Sequence, residues 1–167
     1  MIEFPRGEDV ARIEIDYDFD PLFLHALNPA RYPFLLESAA KGTPRSRFDI
    51  VFAFPQSTLI LDSQGALRFD GTQIEGGSFL HALDAWFKRD SVKLRHGESL
   101  PFSGGWFIYL GYELVGEIEP VVGLGEIEAP WPIAAAVRAP AALVRDHEQK
   151  RAFAVAESDF SDRLDDI

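Results

Sequence analysis

Residues 32–54 read YPFLLESAAKGTPRSRFDIVFAF. The segment opens as an apolar strand-like run, Tyr32 to Leu36, and then sets a carboxylate and a hydroxyl, Glu37 and Ser38, where a core strand would continue. Lys41-Gly42-Thr43-Pro44 has turn chemistry, because glycine and proline favour the dihedral angles of tight turns. Arg45 and Ser46 follow, and the chain re-enters the core over Phe48 to Phe54. Two apolar runs with polar groups at their mouth suit a small ligand with one charged and one apolar end.

The flanking sequence supplies further short elements. Val10 to Tyr17 alternates with period two, placing Ile13, Ile15 and Tyr17 on one face of a half-buried strand. Asp20-Pro21 pairs an N-cap with proline at the first helical position, predicting a short helix over Pro21 to Leu27 that Asn28-Pro29 stops. Thr58 to Asp62 and Ala66 to Phe69 flank Ser63-Gln64-Gly65 as a β-hairpin. Ser78 caps a helix over Phe79 to Arg89 whose Phe79, Leu80, Leu83, Trp86 and Phe87 share one face. Pro101 to Leu114 is an aromatic strand pattern in which glycines imply a bulge or a close backbone approach. Val115 to Pro132 reads as loop, and residues 141–144 and 152–155 as a second hairpin. The acidic end, SDFSDRLDDI, reads as a linker or as the first turn of a helix. The pattern predicts an α+β, antiparallel sheet-rich, sandwich-like fold with flanking helices.

Composition narrows the function. The 167 residues are 47% hydrophobic and 26% charged, as in a soluble globular domain with a sizeable core. A net charge of −11 disfavours nucleic acid and anionic membrane surfaces, which need clustered Lys and Arg. Without cysteine there is no disulfide, thiolate nucleophile or cysteine zinc site. The charged N-terminus does not match a secretory signal, and no apolar run approaches the roughly 20 residues of a membrane-spanning helix, so the default location is cytoplasmic.

No catalytic constellation or metal site stands out. The glycines around Trp106 lack the Lys-Ser/Thr and the following helix of a phosphate loop. Glu117, Glu119, Glu126 and Glu128 alternate as a solvated loop edge would, and His25, His81, His96 and His147 share no ligand spacing and read as surface residues. Glu37-Ser38 has two readings on its residues alone. Either Ser38 caps a helix over Ala39-Ala40 with Glu37 in solvent, or the pair binds a polar head group.

Leu35-Leu36-Glu37-Ser38 resembles the L-L-E-S motif in the N-terminal domain of component I of anthranilate synthase. PFSGGWFIYLGYE, residues 101–113, resembles a signature shared with component I of aminodeoxychorismate synthase, with Phe107 and Ile108 where smaller residues are usual. Both families are chorismate-utilising enzymes. Ser46 to Val51 is more similar to the aminodeoxychorismate branch.

The resemblance implies an N-terminal domain over residues 1–157, with residues 158–167 beginning a linker to a chorismate-binding domain. It implies a parent enzyme in which ammonia from a glutamine amidotransferase partner replaces the 4-hydroxyl of chorismate, toward 4-aminobenzoate and folate. Magnesium and the catalytic groups would belong to that further domain, leaving this segment inert and exposing an apolar patch where the two meet. It also implies a pocket for L-tryptophan, walled by Leu36, Glu37 and Ser38 on one side and Arg45, Ser46 and Phe48 on the other. In the anthranilate branch that pocket would regulate. A free-standing ligand-binding or scaffold module is the reading outside the enzyme class.

Overall fold

The structure, a computed structural model, describes residues 10–38, 46–91, 100–119, 121–122 and 130–167. In chain order its elements are β1 (Val10–Ile15), α1 (Pro21–Leu27), β2 (Phe34–Leu36), β3 (Phe48–Ala53), β4 (Thr58–Leu61), β5 (Leu67–Phe69), β6 (Thr72–Gln73), α2 (Phe79–Asp90), β7 (Gly105–Leu110), α3 (Val115–Ile118), β8 (Ala134–Ala139), β9 (Ala141–Asp146) and β10 (Arg151–Glu157). A 3-10 turn, Tyr112–Leu114, precedes α3, and a 3-10 stretch, Ser158–Asp166, follows β10. The α+β, antiparallel sheet-rich expectation holds. The chain divides into two compact units, each with its own five-stranded sheet.

The first unit holds the sheet β1-β10-β9-β3-β2, with antiparallel pairing throughout. Alternation along its strands gives the sheet two distinct faces. One face presents Ala11, Val51, Ala53, Ala141, Leu143, Ala154 and Ala156. These small side chains let the 3-10 stretch 158–166 lie close, so that Leu164 is buried against them and Phe160 packs alongside. Burying a leucine contributes about 2 kcal/mol. The acidic end is therefore a helical turn fastened to the sheet in this structure; its sequence hides this because Phe160, Leu164 and Ile167 are its only large apolar residues. The other face carries Ala142, Val144, Phe153 and Val155, with Phe48, Ile50 and Phe102 against them. Phe52 and Phe102 meet edge to face at 4.9 Å.

Helix α1 forms as its cap predicts. The Asp20 carboxylate accepts from the N–H groups of Leu22 and Phe23, and Pro21 occupies the first helical turn. At the start of the glycine-aromatic run, Gly104 has φ +103°, and a side chain there would strike the Glu157 side chain. At Gly104 the close approach is thus made by a carboxylate side chain, while at Gly111 it is made by another backbone, the Ile133 carbonyl standing 2.7 Å from where a Cβ would sit.

The second unit holds the sheet β6-β5-β4-β8-β7. Gly65 takes φ +78° in the β4–β5 hairpin, the conformation that glycine adopts without penalty. Helix α2 buries Phe79 and Trp86 against Leu59, Leu61 and Leu67, while Ala134 and Ala136 keep β8 thin beneath them. Trp86 meets Phe69 and Trp106 edge to face at 5.0 and 5.6 Å, and its indole N–H donates to Asp90 at 2.8 Å. Phe87, on the predicted apolar face, is 54% exposed but tilts against Trp106.

The stretch read as loop after Leu114 contains α3, and Glu117 on it is not a solvated edge residue. Its carboxylate accepts from the N–H groups of Phe79 and Leu80 at 2.8 and 3.1 Å, occupying the otherwise unsatisfied donors at the start of α2. Glu126 and Glu128 lie outside the described residues. Ile108, Tyr109, Leu110, Tyr112, Val121 and Trp131 of this unit are exposed. No helix among the described residues is long and apolar enough to cross a membrane.

Candidate functional site

The two apolar runs of residues 32–54 become β2 and β3, paired antiparallel with Phe34 opposite Phe52 and Leu36 opposite Ile50. This hairpin brings Ser38 to the start of β3. Its hydroxyl donates to the Phe48 carbonyl at 2.9 Å, and its backbone N–H donates to Asp49 Oδ1 at 3.0 Å. A hydroxyl has two lone pairs, so Ser38 can still accept from an ammonium group. Ser46 is buried just before β3. Phe48 carries the Arg47 guanidinium over its ring at 4.6 Å.

The remaining positions are less enclosed. Leu36 and Glu37 are exposed. Arg45, the turn Lys41 to Pro44 and the proposed helix over Ala39-Ala40 lie outside the described residues. The structure thus brings Ser38 of the expected pocket to the Phe48 carbonyl, with Ser46 buried two residues earlier and Leu36 and Glu37 exposed.

Asp49 and His147, the latter expected at the surface, form the polar centre beside this hairpin. Asp49 is only 2% exposed, on the face of β3 that also carries Val51 and Ala53. Its Oδ1 holds Ser38, and its Oδ2 lies 2.7 Å from Nε2 of His147 and 3.4 Å from an Arg145 guanidinium nitrogen. Nδ1 of His147 lies 3.0 Å from the Tyr17 hydroxyl, to which Lys150 donates at 3.2 Å. Arg145 also donates to the backbone carbonyls of Tyr17 and Phe19. The signal was present in the alternation, because a carboxylate in the inward register of an apolar strand must find partners. His147 carries no such pattern, since it sits in the turn after β9.

A second carboxylate, Asp146, lies on the opposite face of the sheet. Arg47 grips it with Nε and a terminal nitrogen, the shortest contact being 2.6 Å, and the N–H groups of Glu148 and Gln149 also donate to it. Burial pushes its carboxyl upward, but the Arg47 hydrogen bond, the two backbone donors and the Arg47 charge hold it below the usual aspartate range. Among the described residues, no three or more His, Asp or Glu side chains come together to hold a metal ion.

No family model matches the chain. It is 26% identical over 148 residues to aminodeoxychorismate synthase component 1 of Escherichia coli (strain K12), covering 87% of this chain and 33% of that protein. The crystal structure of anthranilate synthase component I from Streptococcus pneumoniae TIGR4 matches with a TM-score of 0.56 at 20% identity, over 97% of this chain and 33% of that one. The second likeness shows a shared fold. The chain spans about a third of the length of each relative. The similarity to component I proteins that the two motifs suggested is therefore found both in sequence and in fold.

Proposed function

We propose that this chain is the N-terminal, non-catalytic domain of an aminodeoxychorismate synthase component I, supporting a chorismate-binding domain and contributing a tryptophan-type pocket. The observation that carries the reading is the 148-residue similarity to aminodeoxychorismate synthase component 1, which takes in most of this chain but one third of that protein. In such a protein the remaining two thirds supply the chorismate site and its magnesium ion. There ammonia delivered by a glutamine amidotransferase subunit displaces the 4-hydroxyl, forming a carbon–nitrogen bond as water leaves.

Two features of the structure support a supporting role. The exposed apolar side chains along β7 and after it, Ile108, Leu110, Tyr112 and Trp131 among them, suit burial against a further domain. Two buried carboxylates of the first unit, Asp49 and Asp146, are each held by an arginine, an arrangement that fastens strands together.

The β2–β3 hairpin supports the pocket reading. Ser38 and Ser46 offer hydroxyl oxygens to an amino acid's ammonium, Glu37 offers a carboxylate at the open edge, and Phe48 offers a flat apolar surface to an indole. The anthranilate branch shares the fold, so the branch is decided by the product.

Genetic complementation tests this. A gene for the full-length protein carrying this segment is expected to restore growth without 4-aminobenzoate in a strain lacking component I of aminodeoxychorismate synthase. Rescue of a tryptophan-requiring anthranilate synthase mutant instead would assign the other branch, and rescue of neither would overturn the enzyme reading.

A further inference from the structure

Helix α1 turns an apolar side outward. Leu22, Phe23 and Leu27 are 64, 61 and 68% exposed, and Ala26 among them is exposed as well. Residues four apart on a helix are neighbours, so Leu22 with Ala26 and Phe23 with Leu27 form one stripe. Inward, α1 buries only Pro21, with Leu24 partly packed on the sheet. Its one polar side chain, His25, lies 2.8 Å from the Tyr32 carbonyl through Nδ1. A helix of seven residues draws its stability from packing, yet three of the four large apolar side chains of α1 face water.

We propose that this stripe is the docking surface for a separately folded protein that sets lysine or arginine side chains beside an apolar recess. In the reading given above, on which this rests, that protein is the glutamine amidotransferase subunit. Charge identifies the occupant. Asp16, Asp18 and Asp20 lead into α1, are all exposed, and form no ion pair among the described residues. Asp16 accepts from the Asp18 N–H, and Asp20 from those of Leu22 and Phe23. The cations of this region are turned elsewhere. Arg145 donates to Asp49 and to the carbonyls of Tyr17 and Phe19, Lys150 to the Tyr17 hydroxyl, and Arg31 to the Asp166 carbonyl.

An apolar centre with charge at its edge is the anatomy of an interface between separately folded proteins, and opposite charges on the two sides select the partner and speed the encounter. Here the charge is negative and uncompensated, so the partner's edge is basic. Two copies of a chain with net charge −11 repel one another, and an anionic membrane surface is repelled likewise. The exposed apolar residues along β7 and after it belong to the second unit and are left to the further domain. Phe23 and Leu27 supply the apolar anchors, and the aspartates supply orientation and rate.

Calorimetric titration of the full-length protein with the glutamine amidotransferase subunit of the same organism tests this, with chorismate turnover measured in parallel. Phe23→Ser/Leu27→Gln, altered at exposed positions, should weaken subunit binding by roughly tenfold or more and lower glutamine-dependent turnover. Turnover supplied directly with ammonia should be unchanged, as should the melting temperature. Asp16→Asn/Asp18→Asn, which keeps an acceptor for the Asp18 N–H, should weaken binding by about threefold and remove part of its salt dependence. Undiminished subunit binding by the Phe23/Leu27 variant would overturn the docking surface while leaving the enzyme reading intact. A lowered melting temperature with undiminished subunit binding would give α1 to the further domain, and a concentration-dependent dimer that the variant abolishes would give it to a second copy; either overturns the proposal. No turnover by the unsubstituted full-length protein, even with ammonia, would overturn the enzyme reading and this surface with it.

Discussion

The Asp49 carboxylate lies 2.7 Å from Nε2 of His147, a residue 98 positions further along the chain. Lys150 donates to the Tyr17 hydroxyl, whose oxygen lies 3.0 Å from Nδ1 of His147. A carboxylate only accepts, so Nε2 of His147 donates to Asp49. The hydrogen bonds run Lys150 to Tyr17 to His147 to Asp49, tying the segment after β1 and the β9–β10 turn to β3.

Removing one end of this chain of bonds leaves buried partners unsatisfied. Asp49→Ala is expected to destabilise the protein by about 3 kcal/mol, because it also abandons Arg145 and the Ser38 N–H. His147→Gln should cost about 1 kcal/mol, the worth of a single replaced hydrogen bond. Urea unfolding of the two variants and their combination checks this, with less loss in the double variant than the sum of the singles.

Asp146 gives the protein part of its acid sensitivity. Its carboxyl is held below the ordinary value near 3.8, against burial and in favour of Arg47 and two backbone donors. As pH falls, the unfolded chain takes up this proton first. The carboxyl's contribution is therefore complete above the ordinary value and is lost as pH falls through the lower folded value. Asp146→Asn should flatten the stability profile between about pH 5 and 2 while lowering stability at neutral pH. Chemical denaturation across that range would show it, and an unchanged acid limb would count against the Arg47 contact.

Glu117 should stabilise α2 from outside the helix. Glu117→Ala removes the acceptor for Phe79 and Leu80 N–H, and a loss of about 1 kcal/mol is expected, as for other N-terminal caps. Glu117→Gln keeps an acceptor oxygen and should recover part of it. Thermal melts of both variants check the order.

How far the sequence led can be seen at particular residues. Local chemistry was enough for α1, where Asp20-Pro21 fixes the start, and for β4–β5, where Gly65 fixes the turn. The periodicity of Phe79, Leu83 and Trp86 was enough for α2. Glu117 was misread because its partners, two N–H groups 37 and 38 residues earlier, are created by the fold. His147 was misread for the same reason, since Asp49 and Tyr17 reach it only once β3, β9 and β10 have paired. Ser38 was singled out, but as a side chain facing a ligand; the structure adds that its hydroxyl and N–H first fasten the start of β3. Motif likeness indicated the family because it draws on whole-chain order, which neither composition nor local period contains.

The tryptophan-type pocket makes a separate prediction. Calorimetry of the full-length protein with L-tryptophan should give saturable heat that Ser38→Ala diminishes, and the 167-residue chain alone should bind more weakly, because in the proposed reading the further domain supplies part of the wall. Absence of heat at millimolar tryptophan, with no effect of Ser38→Ala, would remove the pocket and leave the supporting role intact.

The most direct measurement compares two proteins in one assay. The 167-residue chain and the full-length protein are each given chorismate, ammonia and magnesium, and products are separated by chromatography. The full-length protein should form aminodeoxychorismate, and the chain alone should consume no chorismate beyond a buffer blank. Turnover by the chain alone, or none by the full-length protein, would contradict the account.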